Sequence, residues 1–183
     1  MIQDKVMTDS ANIDRENYIL IVDDDNTLLK FFKIHLNKFF SKIIVAKNAT
    51  EALEVLKTKE IDLIISDFKM PRIDGLQFLK KAKKYDASIP FLFISGALLA
   101  DNQMNTINSS SDGYLKKPFG IDDLYNFITA GLEKRDKLLT LAEIVDKSKL
   151  KDFIGGKYSL KKIKDEQQRE QAQEILESLS KSA

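Results

Sequence analysis

Five side chains in this sequence could act together on one anion: Asp23, Asp24, Asp67, Ser95 and Lys117. Each stands at or just beyond the end of a short apolar run. Tyr18-Ile-Leu-Ile-Val22 stops at Asp23-Asp24-Asp25, and Ile61-Asp-Leu-Ile-Ile65 is followed by Asp67. Phe91-Leu-Phe-Ile closes on Ser95, and Gly113-Tyr-Leu115 precedes Lys116-Lys117-Pro118. Three carboxylates at one place repel one another unless a hard divalent cation lies among them, and Mg²⁺ takes oxygen ligands while keeping several waters. The backbone carbonyl of Lys69 is a further candidate ligand. Such a metal, with a lysine ammonium, neutralises charge on an incoming phosphoryl group. Ser95 offers a hydroxyl to a phosphoryl oxygen, and Asp67 is the candidate nucleophile, becoming an acyl phosphate.

For these groups to meet, the apolar runs must be parallel strands. Runs this short and rich in β-branched residues read as strands buried on both faces. Between them lie helical patterns. Leu28, Phe32, Leu36 and Phe39 recur through a helix expected over 26–40, and Asn48-Ala-Thr-Glu51 is a capping box ahead of Ala52, Leu53, Val55 and Leu56. Ile43 to Ala46 is a brief strand between those two helices. Met70-Pro71 forces an extended or turned backbone after Asp67, and Asp74-Gly75 caps a helix carrying Leu76, Phe78 and Leu79. The polar stretch from Gly96 to Asp112 supports only a faint helix over 101–108, and Asp122 or Asp123 starts a helix through Leu124, Phe127, Ile128 and Leu132. Strands alternating with helices imply an α/β fold, a doubly wound parallel sheet with right-handed crossovers. The strand ends then share one edge, where open α/β sheets place their ligands.

Outside that rhythm, residues 1–17 show no period and read as a flexible N-terminal tail. From Glu133 onward the composition changes. Leu138, Leu141, Ala142 and Val145 keep a narrow helical stripe that prolongs the preceding helix, and Gly155-Gly156 breaks it. Residues 158–179 form a charged, Gln-rich helix with few apolar anchors, which is stable only when packed on something. The expected organisation is therefore a tail (1–17), an α/β domain (18–132) and a helical extension (133–183).

Composition narrows the chemistry. A formal charge of +1 over 183 residues gives no global electrostatic case for nucleic acid or an anionic membrane. With no cysteine there is no thiol catalysis, thiolate metal site or disulfide. No apolar run approaches a membrane span, and there is no N-terminal signal core, so a cytoplasmic location is expected. The single histidine, His35, falls mid-helix and reads as structural; Asp25 reads as a helix cap and Lys116 as a solvated neighbour.

Four segments in order resemble the receiver domain of two-component response regulators: Ile-Leu-Ile-Val-Asp23-Asp24, Leu-Ile-Ile-Ser-Asp67-Phe-Lys-Met-Pro-Arg-Ile-Asp-Gly, Phe-Ile-Ser95-Gly, and Gly-Tyr114-Leu-Lys-Lys117-Pro-Phe. The resemblance implies a flavodoxin-like five-stranded parallel sheet in order 2-1-3-4-5. It implies that Asp67 is the phosphoacceptor, that Asp23 and Asp24 hold Mg²⁺, that Ser95 is a switch hydroxyl and Lys117 the phosphate-contacting lysine. Tyr114 would be a rotating switch aromatic, and Lys117–Pro118 a cis peptide. The expected partners are a histidine kinase or phosphotransfer protein and a downstream protein, with a homodimer possible; beyond self-catalysed phosphotransfer and autodephosphorylation no enzyme activity is implied. The sequence departs from the family pattern at Gly96, where alanine is usual, and at Asn108-Ser-Ser-Ser-Asp112, where a small Gly-Ala step is common.

Three other readings compete. Asp23-Asp-Asp25-Asn-Thr27 resembles the first motif of haloacid-dehalogenase-type phosphatases, with Asp23 as nucleophile and Asp25 as acid/base, but the late acidic pair of that family is missing and Asp67 is left unexplained. A receiver that is never phosphorylated would serve as a static adaptor. A transcriptional role through the short C-terminal segment would need a helix-turn-helix or a basic stripe, and neither is evident, so nucleic acid is not the expected partner.

Overall fold

The structure is a computed structural model and describes residues 17–96, 100–146, 149–154 and 159–181. The expected N-terminal tail, Asn17 apart, and the Gly155-Gly156 break lie outside these residues.

Five strands, β1 (Tyr18–Val22), β2 (Lys42–Ala46), β3 (Leu63–Asp67), β4 (Phe91–Ser95) and β5 (Gly113–Lys116), form one parallel sheet in the order β2-β1-β3-β4-β5. The helices between them are α1 (Asn26–Leu36), α2 (Ala49–Thr58), α3 (Gly75–Ala82) and α4 (Asp101–Ser110), followed by α5 (Ile121–Val145). Strand alternation divides the core in two. Leu20, Val22, Ile64, Phe91 and Phe93 face Ala52 and Leu56 of α2, Phe78 and Leu79 of α3, and Ile107 of α4. Ile19, Ile21, Leu63, Ile65, Leu92 and Ile94 face Leu29 and Phe32 of α1 and Leu124, Ile128 and Leu132 of α5. Full burial of each such side chain contributes about 1.5–3 kcal/mol, which fixes the register of the three central strands.

Local signals set the helix starts. Asp25 accepts from the N–H groups of Thr27 and Leu28, and Asp74 accepts from Gln77. Asn48 accepts from the Glu51 N–H, which is one half of the expected box; the Glu51 carboxylate turns back one residue further and accepts from the Lys47 N–H. Some boundaries differ from the sequence reading. The central strand is Leu63–Asp67 rather than 61–65; Asp62, just before it, is tied to Tyr18 at the start of β1, its carboxylate accepting the Tyr18 N–H and its own N–H donating to the Tyr18 carbonyl, both at 2.9 Å. Helix α1 stops at Leu36, four residues short of Phe40, where the N–H groups of Phe39 and Phe40 both turn back to the Leu36 carbonyl.

Helix α5 runs unbroken through position 132 to Val145. It crosses the sheet at Gly131, where a Cβ would lie 2.6 Å from Leu63 Cδ1, so any larger residue would force the Leu63 side chain to shift. Beyond the sheet α5 meets α6 (Leu150–Ile154), a 3₁₀ turn (Leu160–Lys162) and α7 (Glu166–Lys181). Leu141, Ala142 and Val145, Leu150 and Phe153, Ile163 and Ala172 form a third, separate apolar cluster. The helix expected over 158–179 is thus split. Asp165 caps α7 by accepting from Gln168 at 2.8 Å, and Arg169 donates back to the Ile163 carbonyl at 2.7 Å.

Candidate functional site

The C-terminal edge of the sheet gathers Asp23, Asp67, Ser95 and Lys117. Asp23 is the first residue after β1, Asp67 the last of β3 and Ser95 the last of β4, and all three are buried. Lys117 follows β5, and its N–H donates to the Ser95 carbonyl at 2.9 Å, which sets the lysine beside the end of β4. From there its Nζ reaches Asp23 Oδ2 at 2.8 Å and Asp67 Oδ1 at 3.0 Å.

The remaining carboxylate oxygens are held by backbone. Asp25 N–H donates to Asp23 Oδ1 at 2.8 Å, and Lys69 N–H donates to Asp67 Oδ2 at 2.7 Å. The turn after Asp67 is compressed by Gly75, where a Cβ would meet Phe93 Cε1 at 2.6 Å and the Asp67 carbonyl at 2.7 Å. Glycine at the start of α3 therefore lets that helix abut the end of β3.

One ammonium between two buried carboxylates leaves net negative charge. Burial pushes the Asp67 carboxyl above its ordinary range; Lys117 pulls it back and Asp23 pushes it further up. Burial works against the Lys117 ammonium, yet its bonds to Asp23 and Asp67 hold its pKa above the usual lysine value. Tyr114 is half-buried, with its hydroxyl 3.4 Å from the Ser95 carbonyl, and burial together with the Asp67 charge raises its pKa.

Not every predicted group joins this cluster. Asp24 is exposed, and among the described residues no three carboxylate or imidazole side chains are gathered into a ready cage for a metal. The donor set nevertheless fits Mg²⁺: it is all oxygen, acidic beyond what Lys117 neutralises, and open to solvent at Asp24, as suits an ion that keeps several waters. Asp25 is exposed and engaged in capping α1, not turned toward Asp23 as a phosphatase acid/base would be. His35 bonds the Phe31 carbonyl and stacks on the Phe31 ring. The Lys117–Pro118 peptide is cis.

Two polar clusters at the opposite edge of the sheet had no local signal. Asp112 accepts from Phe91 N–H at 2.7 Å, Lys83 at 3.0 Å and Lys134 at 2.9 Å. Arg135, 6% exposed, bonds Asp86 at 3.0 Å and Ser88, and its Nε stands 3.9 Å from Asp62. Both clusters pin the continuation of α5 beneath the strands.

Several known proteins are similar to this chain. The probable transcriptional regulator ycf29 of Porphyra purpurea is 34% identical over 122 residues, covering 66% of this chain and 58% of that protein. The transcriptional regulatory protein ZraR of Klebsiella oxytoca is 32% identical over 106 residues, covering 58% of this chain and 24% of that protein. This chain therefore spans only part of the length of either relative. Among solved structures, an adenylate cyclase from Rhodopirellula baltica matches with TM-score 0.67 at 27% identity, over 73% of this chain and 99% of that one. A CheY-like receiver domain protein from Methanospirillum hungatei matches with TM-score 0.62 at 28% identity, over 67% of this chain and 98% of that one. Residues 19–129 match the family model for the response regulator receiver domain, and the chain belongs to that family.

Proposed function

We propose that this chain accepts a phosphoryl group on Asp67 in the presence of Mg²⁺ and passes the signal on through protein–protein contacts. The observation that carries this reading is the position of Lys117, whose ammonium bridges Asp23 and Asp67 at 2.8 and 3.0 Å. Asp23, Asp24, Asp67 and the Lys69 carbonyl are the groups that would hold Mg²⁺, and bound there it would neutralise charge on the phosphoryl oxygens. Asp67 Oδ1, released from Lys117, attacks phosphorus as the donor's leaving group departs; Lys117 then pairs with a phosphoryl oxygen and Ser95 donates its hydroxyl to another. Tyr114, already against the Ser95 carbonyl, follows the Ser95 loop, which biases the surface of α4, β5 and α5 between two states. The donor would be a histidine kinase or phosphotransfer protein, and the site calls for no catalytic turnover beyond self-catalysed phosphotransfer and hydrolysis.

Labelling with a small acyl phosphate in Mg²⁺, followed by peptide mapping, is expected to place one phosphoryl group on Asp67 and none in Asp67→Asn. Label on Asp23, or an unlabelled chain at saturating metal, would overturn the assignment. The names of ycf29 and ZraR favour a second reading, in which the output reaches transcription. Fluorescence anisotropy with duplex DNA, with and without beryllofluoride, separates the two: salt-sensitive binding supports the second.

A further inference from the structure

Helix α7 lies on α5 beyond the family-matched residues, and its role follows from which parts of the extension can move. The α5 continuation cannot swing. Lys134 is bonded to Asp112 and the next residue, Arg135, to Asp86 and Ser88, so adjacent side chains hold the helix to two separate points under the sheet. Gly131 presses it onto Leu63 just before those anchors. Helix α7 is held far more lightly. Of its described side chains only Ala172 is fully buried; Ile175, Leu176 and Leu179 are partly exposed, and the rest of the helix is Glu- and Gln-rich. A helix with so little buried apolar surface docks reversibly.

Its last turn also reaches the receiver. Leu179 shares a small cavity with Asp112, Phe127, Gly131 and Lys134, on the side of the molecule formed by β5 and α5. Asp112 is two residues from Tyr114, and α4, which ends immediately before that turn, buries a single side chain, Ile107. The seat of Leu179 is thus bounded by a fixed helix on one side and the turn leading into Tyr114 on the other.

We infer that α7 is a removable cover on the α5 continuation, seated when the acceptor is empty and lifted when Asp67 carries an anion, which uncovers Leu141, Ala142 and Val145. The inference rests on the acceptor reading given above. Linkage makes it reciprocal: if occupation of the site weakens α7 docking, α7 docking weakens occupation of the site by the same factor.

Because the chain has no cysteine, Glu143→Cys with Gln173→Cys places one spin label on the exposed side of α5 and one on that of α7. Mg²⁺ with beryllofluoride is expected to lengthen and broaden the distance between them, and to leave it unchanged in a chain also carrying Asp67→Asn. Without labels, Ala172→Glu and the milder Leu179→Ser are expected to bind beryllofluoride about five-fold tighter or more than the parent chain, read by tyrosine fluorescence. Should Ala172→Glu fail to fold, Leu179→Ser and the labelled pair decide alone. Equal affinities together with an unchanged distance, in a chain that does bind beryllofluoride, overturn the cover. A chain that binds no beryllofluoride in Mg²⁺ overturns the acceptor reading and the linkage with it.

Discussion

Arg135, on the part of α5 that has already left the sheet, turns back and bonds the carboxylate of Asp86 at 3.0 Å, just before β4 begins. The pair is buried on the arginine side and largely so on the aspartate side, with side-chain exposures of 7% and 16%. Removing one partner of such a pair strands the other. Arg135→Leu is therefore expected to lower stability by about 3 kcal/mol in urea unfolding. Asp86→Asn combined with Arg135→Leu should cost clearly less than the sum of the two single changes. Simple additivity would show that the two side chains are not energetically coupled.

Acid should loosen the same edge. Burial opposes the charge on both Asp86 and Asp112, but their partners win: Ser88 and Arg135 hold Asp86, and Lys83, Lys134 and the Phe91 N–H hold Asp112, below the ordinary value of 3.8. A carboxylate depressed in the folded state stabilises it fully above its unfolded pKa, and that contribution is lost as pH falls through the folded one. Urea midpoints are expected to hold from pH 7 to about 4 from these groups and to fall below it. Asp112→Asn should be less stable at pH 7 and show a shallower acid slope; an undiminished slope would place the effect elsewhere.

Gly131 sets two tendencies against each other. In an exposed helix interior, alanine in place of glycine gains about 1 kcal/mol. Here the new methyl would lie 2.6 Å from Leu63 Cδ1 and 3.1 Å from Leu92 Cδ1, and overpacking of that kind costs about 1–3 kcal/mol. Gly131→Ala is expected to be destabilising in thermal or urea unfolding, against the sign of helix propensity. A stabilised variant would show that the Leu63 and Leu92 side chains make room for the methyl at little cost.

Lys117→Met tests the site directly. It leaves Asp23 and Asp67 facing each other without their shared cation. Loss of one preorganised group that stabilises developing charge typically costs about 100-fold in rate, so labelling of Asp67 by an acyl phosphate should slow by about that factor. Chelation of Mg²⁺ should abolish labelling in both proteins. Unaltered labelling in Lys117→Met would mean that the lysine only neutralises the resting site.

Much of this was readable one segment at a time. The apolar runs ending at Val22, Ile65 and Ile94 are short and bulky, with Asp62 the one polar residue within them, as suits strands buried on both faces, and a polar residue follows each. Once those strands are parallel, Asp23, Asp67, Ser95 and Lys117 have to share an edge. Capping chemistry is similarly local, which is why Asp25, Asn48 and Asp74 start helices where expected. Element ends were less legible, since Asp62 bonding Tyr18 and the return of Phe39 and Phe40 to Leu36 depend on what lies next to each end.

What only the tertiary structure decided is the pairing of groups far apart in sequence whose partners carry no motif. Nothing around Arg135 distinguishes it from Arg169, and a lysine at 134 reads as one more solvated charge. They become anchors because α5, held against Leu63 through Gly131, leaves the sheet directly over Asp86, Ser88 and Asp112. Whether a charged, Gln-rich helix frays or docks is decided by the surface it meets, and here the α5 continuation and Ile163 supply one.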